Sequence, residues 1–432
     1  MRHTVIGIGC VTIMVSSLAL GASAAVSGWR GDGTGRALAA APCLEWGGAN
    51  NTNIQWKTQV GASFSSPVPV ADRVFVTAEE NKLVCLDRED GKILWQSSNG
   101  FADLPSTTTG KPETAPATSC GFTTPTPASD GERVYALFGT GVVSCYDLAG
   151  RRQWMRYINA TERLEYGRSA SPVLAGGRLV CMIGHLLALD TATGVTAWEA
   201  PDVAETYGTP VAAKLGPTLV IVTPNGAVVR AADGKVLATG IGETAHTSPV
   251  VQNGVAFFAD AHSSAVKLIL KPDGHLETHE LWQADFDGEC YSSPVWHDGI
   301  LYAVNNAGVL QALDAVTGKS IYQQTLDLRS GATGANLYAC LVFAGGNLFV
   351  ANDRGDTLVV KPGREFKSVQ HNTLDEGANS TPMFDGRTLF LRVGEALYAI
   401  GVPGNESVRE PTREPFRAPV TSVETHPPGA SN

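Results

Sequence analysis

Leu187-Ala188-Leu189-Asp190-Thr191-Ala192-Thr193-Gly194-Val195-Thr196-Ala197-Trp198 decides the fold. The stretch reads as a short apolar strand ending at Asp190, a turn closed by Gly194, and a second strand carrying Trp198. Asp and Gly supply the turn chemistry, and the indole is a large apolar surface that has to pack against something. The same pattern returns elsewhere. Cys85 to Trp95 repeats it with Cys85 for Ala188 and Asp90 for Thr193. Ala312 to Tyr322 repeats it with Tyr322 for the Trp, and Asp147 to Trp154 is one residue shorter. The fourth, fifth and seventh of eight repeats along the chain lose most of the pattern.

Each copy follows a Ser/Thr-Pro step that opens an apolar strand. These steps are Ser66-Pro67, Thr124-Pro125, Ser171-Pro172, Thr209-Pro210, Ser248-Pro249, Ser293-Pro294 and Thr381-Pro382, with a degenerate eighth at Tyr338-Ala339-Cys340. They recur roughly every 40 residues, and each interval holds four short strands, which is the size of a propeller blade. Proline suits the start of an innermost strand, where a missing N–H costs least. One blade cannot bury its own faces, but a closed ring can. The expected fold is therefore all-β, an eight-bladed β-propeller over residues 53–402.

The ends show how the ring closes. The last repeat stops at Leu397-Tyr398-Ala399-Ile400 without an aromatic outer strand, while Asn53 to Val60, with Ile54 and Trp56, precedes the first step. That N-terminal strand is expected to complete the last blade and remove two sheet edges. Residues 25–52 read as a linker, and the Pro-rich stretch 403–432 as a disordered tail. Ser97 to Cys120 is a long polar insertion, expected to be a lid or a floppy loop.

Residues 1–24 read as a signal peptide: Arg2 and His3, an apolar run from Val5 to Leu20, then Ala22-Ser23-Ala24. Export, to the periplasm or the medium, is expected, with no transmembrane span after cleavage. A net charge of −10 argues against nucleic acid as a partner. Seven cysteines follow the leader, an odd number that no complete disulfide framework uses. Cys85 and Cys145 fall where Ala188 and Ala312 stand in other copies, so they read as small buried hydrophobes.

The pattern from Ala188 to Trp198 resembles the tryptophan-docking repeat, A-x-D-x-x-T-G-x-x-x-W, of the quinoprotein (PQQ-like) propeller family. The Gly-His and Trp-Asp pairs of WD40 repeats are absent at regular positions. The resemblance implies one of two functional branches. In one, dehydrogenases hold pyrroloquinoline quinone (PQQ) and calcium in a central funnel. In the other, cofactor-free propellers such as the outer-membrane assembly protein BamB scaffold protein partners. The stretch Gly28 to Gly35 looks like a shortened leader of exported, uncharacterised propellers of this kind.

No vicinal cysteine pair, no metal-site spacing and no acid–base pair is legible, so no catalytic residue, metal ligand or cofactor is expected. Loops on a rigid ring carry function, and equivalent loops converge on one axis. The residues before the Pro steps are rich in aromatic and polar groups. Tyr166, Arg168, Tyr207, His246, Tyr291 and Tyr338 are the expected partner-binding set at the channel mouth, with Glu289, Asn336 and Asn379 nearby. The reading is a non-catalytic scaffold for a protein or peptide of the cell envelope. The alternative is a PQQ-dependent oxidoreductase.

Overall fold

The computed structural model describes residues 27–402, apart from 116–117, 160–163, 329–335, 375–376 and 378–379. The expected leader (1–24), the tail (403–432) and Asn379 lie outside the described residues. The fold is an all-β, eight-bladed propeller. Each blade is built on four antiparallel strands, and in the first seven the innermost of these comes first in sequence. The blades comprise 68–98, 128–157, 173–204, 211–238, 250–285, 292–325, 342–373, and 383–400 joined by 54–59. The last sheet closes as the sequence indicates: Ile54–Gln59 runs antiparallel to Ala396–Ile400, with Trp56 opposite Ala399.

The core lies between blades rather than within them. One apolar cluster joins Tyr302 and Val304 of blade six to Leu348 and Val350 of blade seven. Indoles seal the outer part of five of the eight seams. Trp154 of blade two donates Nε1–H to Thr191 O of blade three at 3.0 Å, and Trp198 donates to Ala231 O of blade four at 2.9 Å. Trp56 and Trp95 make the same bond to Arg88 O and Leu148 O. Trp282 makes it to Ala315 O at 3.1 Å, so blade five, which lacks the turn part of the pattern, keeps the indole and its role.

The Ser/Thr residues of the Pro steps form a collar around the axis. Each residue's N–H donates to the hydroxyl of the next blade: Ser66 to Thr126, Thr126 to Ser171, Ser171 to Thr209, Thr209 to Ser248 and Ser248 to Ser293. Cys340 N–H reaches Thr381 Oγ1, and Thr381 N–H reaches Ser66 Oγ. Blade seven has Cys340 where the others have a hydroxyl, and there Leu341 N–H binds Ser292 Oγ instead. In blade two the collar residue is Thr126, not Thr124. The sequence offers Thr124-Pro125 and Thr126-Pro127 in succession, and only the second aligns with its neighbours.

Residues 27–52, read as a linker, pack onto the ring. Arg36–Ala37 adds a fifth, parallel strand to the inner edge of blade seven, opposite Phe343 and Ala344. Trp46 is buried against Phe349, with ring centroids 6.2 Å apart. Its N–H donates to Asn372 Oδ1 at 2.9 Å. The cause is an open inner edge on blade seven and an apolar groove between blades seven and eight, both of which the segment covers.

Arg392 is buried at the closing seam. It donates Nη1 to Ser65 Oγ at 3.0 Å and to Thr77 O at 2.8 Å, while Nε and Nη2 have no partner. Burial lowers its pKa to about 9. The folded state thus disfavours the charged form. The penalty is complete below the folded value and is relieved as pH rises through it, where the unfolded chain holds more protons. Ser65 and Thr77 also bond each other, so removing the guanidinium strands neither. Arg392→Met is expected to raise stability by about 1–4 kcal/mol. The gain should shrink as pH rises beyond 9; urea denaturation at several pH values measures it, and a destabilised variant would refute it.

Candidate functional site

The innermost strands surround a cavity of about 580 Å³ on the propeller axis. The hydroxyl collar rings its wall, and the loops before the Pro steps form its mouth. Four ring contacts run in series around the mouth. Tyr166 meets Tyr207 at 5.8 Å between centroids, Tyr207 meets His246 at 5.2 Å, His246 meets Tyr291 at 5.0 Å, and Tyr291 stacks on Tyr338 at 5.4 Å. The rings come from five successive interblade loops, so the ring geometry alone makes them neighbours. Tyr166 and Tyr338 are exposed at 47% and 43%, which leaves the mouth accessible.

Five of the six expected residues line this cavity; Arg168 does not. Its guanidinium pairs with Glu205 at 2.8 Å and donates to Gly139 O at 3.1 Å. The Glu205 side chain is nearly buried, and its other oxygen accepts Gly184 N–H. Arg168 is therefore an internal strut across blades two and three, because a buried carboxylate needs a cation more than the mouth does. Asn336 is likewise engaged, by Asp353.

Two aromatic lining residues escaped the sequence reading. Phe64 stands two positions before Ser66, the same register in which Tyr207, His246, Tyr291 and Tyr338 precede their collar residues. That register was a usable signal. Trp29 was not predictable in the same way. Gly28-Trp29-Arg30-Gly31 forms a tight hairpin, with Gly28 N–H to Gly31 O at 2.8 Å and Gly31 N–H to Gly28 O at 3.0 Å. Ser27 pairs with Ser129 of blade two, while Arg30 donates to Pro294 O of blade six and Leu341 O of blade seven. The hairpin thus spans the channel, and Trp29 forms part of the cavity floor. The Arg30 guanidinium is buried beneath the indole, 5.2 Å from its centroid.

The insertion packs over blades one and two in its described part. Leu104 is buried, and Phe101 meets Tyr157 edge-on at 5.7 Å. Its end brings Cys120 into the cavity, where Cys120 N–H binds Tyr166 O at 3.2 Å. Burial raises the Cys120 thiol, and it pushes Cys85, Cys145, Cys181 and Cys290 up to about 12. All seven described cysteines are free. Tyr291 is raised by burial and by its hydrogen bond to Glu289, and Tyr338 by burial and by Asp353, Cys120 and Tyr166. Both phenols stay protonated near neutral pH.

These features match a known family. The sequence profile described as outer membrane protein assembly factor BamB covers residues 47–275 and 277–414. The chain belongs to this family. Among solved structures, BamB from Moraxella catarrhalis is similar with a TM-score of 0.58 at 13% identity, covering 82% of this chain and 99% of that one. The computationally designed Ika8 protein is similar at 0.56 and 12%, covering 80% and 98%. Quinohemoprotein alcohol dehydrogenase from Comamonas testosteroni follows at 0.54 and 12%, covering 89% and 81%. At these identities the likeness shows the shared fold alone. No curated protein matches the chain. Among the described residues, no helix of this BamB-family propeller is long and apolar enough to cross a membrane.

The lining does not suit the quinone of the dehydrogenase branch. PQQ is a polycarboxylate, and among the described residues neither Lys nor Arg lines this cavity, whereas Glu289 does. Among the described residues, no group of three or more His, Cys, Asp or Glu side chains is arranged to hold a metal ion.

Proposed function

We propose that this BamB-family propeller is exported and serves as a non-catalytic scaffold, binding a protein or peptide of the cell envelope through its axial cavity. The observation that carries the reading is the continuous arc of five rings on five loops, above a floor made by Trp29. Tyrosines on a rigid ring offer large contact area with little entropy to lose, and such residues dominate interface energetics. The family's name, outer membrane protein assembly factor, supports an envelope partner.

The test is capture of partners from the envelope fraction by wild type and by Tyr207→Ala plus Tyr291→Ala. These rings are chosen over Arg168, whose loss would strand Glu205 in the interior. Partner recovery is expected to fall at least tenfold, at about 1 kcal/mol or more per anchor. Equal recovery with an unchanged melting temperature would move the interface to the rim of the ring.

A cofactor-free site makes a second expectation. Addition of PQQ with calcium should leave the melting temperature unchanged and elicit no dye-linked alcohol oxidation. A ligand that binds only the folded chain at a hundred times its Kd would stabilise it by about 2.7 kcal/mol. A calcium-dependent rise at micromolar quinone would favour the oxidoreductase reading instead.

A further inference from the structure

We infer that the group the cavity takes is a cationic side chain, the Lys or Arg of a partner peptide, seated beside Glu289 at the height of the aromatic arc. This deepens the peptide-binding reading above and rests on it.

The lining is chemically lopsided. Among the described residues it carries aromatic rings, hydroxyls and one carboxylate, Glu289, with no Lys or Arg. Tyr291 O–H donates to Glu289 Oε2 at 3.0 Å, which orients the carboxylate. No described residue bonds its other oxygen.

Further carboxylates stand behind the same arc. Asp260 accepts Ala245 N–H at 2.9 Å and Cys290 N–H at 3.2 Å, beside His246 and Tyr291. Asp353 accepts Asn336 N–H at 3.0 Å, and its charge reaches Tyr338. Arg354 forms a long ion pair with Asp353 at 3.9 Å, without a hydrogen bond. Arg168, in the loop before blade three, is committed to Glu205. Glu289 is the charged side chain among the described lining residues, and a concave site concentrates the field of such a charge on its opening.

Aromatic rings add attraction for a cation and accommodate its aliphatic stem. An anion would face Glu289 with no lining cation among the described residues. Arg30 fixes the height of the site. It lies under the Trp29 indole, so the floor repels a second positive charge while the arc attracts one.

Calorimetry with the full chain and four capped peptides, acetyl-Gly-Gly-Xaa-Gly-Gly-amide with Xaa as Arg, Lys, norleucine or Glu, tests this. The Arg and Lys peptides are expected to bind at least tenfold tighter than norleucine, and the Glu peptide not at all. Glu289→Gln should weaken the Arg peptide about tenfold and leave norleucine unchanged. Added salt should weaken the Arg peptide on wild type, which needs no variant to fold. Binding of norleucine or Glu peptides as tight as Arg would overturn the cationic assignment while the cavity still binds peptide. Binding of none of the four overturns it too, and the partner-capture experiment then decides separately whether the cavity is an interface.

Discussion

A chain lacking residues 53–60 is expected to lose its cooperative unfolding transition and to aggregate. Ile54–Gln59 is the outer strand of the eighth blade, and its removal bares Ala396–Ile400, every residue of which is buried in the intact ring. An unpaired apolar edge of that kind recruits other chains. The same deletion takes Trp56 out of the seam between blades eight and one, where it packs on Phe390 and bonds Arg88 O. Loss of one buried Trp side chain costs about 3–5 kcal/mol, against a total stability of about 5–15 kcal/mol for a typical protein. The strand's ladder and its neighbours add to that. Size-exclusion chromatography and thermal melts of the truncated chain measure the outcome. A soluble monomer melting where the full chain melts would show that the ring does not depend on this closure.

Gly194→Ala is expected to destabilise the ring far more than Gly177→Ala, though both glycines have similar φ angles. Gly194 has φ of +69° and Gly177 +75°, so an added Cβ strains each by a similar amount, about 1–2 kcal/mol. The surroundings differ. A Cβ on Gly194 would lie 2.6 Å from the Trp154 indole, whereas nothing lies within 4 Å of one on Gly177. Trp154 is fixed by its bond to Thr191 O and cannot retreat without opening the seam. The extra cost is about 1–3 kcal/mol, the usual range for overpacking a filled core. Urea midpoints of the two variants give the comparison directly. Equal losses would mean that the indole yields and that the docking contact is looser than its geometry implies. The same contact recurs where Gly91 meets Trp56, Gly234 meets Trp198 and Gly318 meets Trp282, so one test speaks for several seams.

The repeat itself was legible because its signals are local. The turn from Asp190 to Gly194, the proline opening each inner strand and the alternation of apolar residues all act within a few positions, and a ring merely repeats them. The closing strand was legible by difference, since the last repeat lacked an outer strand and the first was preceded by one. The mouth was legible in register: Tyr207, His246, Tyr291 and Tyr338 sit at one repeat position, and a ring brings equal positions together. Phe64 obeyed the same rule and could have been found by it.

Other features depended on which distant surface was nearest, and no local pattern carries that. Arg168 reads like its neighbours in sequence, yet the buried Glu205 claims it. Blade two offers two Thr-Pro steps, and only contact with Ser66 and Ser171 selects Thr126. The segment 27–52 looks like a linker because its few apolar residues show no period. It is ordered by surfaces that exist only once blades seven and eight have formed, which is why Trp29, three hundred residues from Tyr338 in the chain, ends as the floor beneath it. The sequence determined the blades and their number, because each is specified by turns and strands a few residues long. Tertiary structure alone decided what fills the space the blades enclose, because that depends on long-range contacts the repeat does not encode.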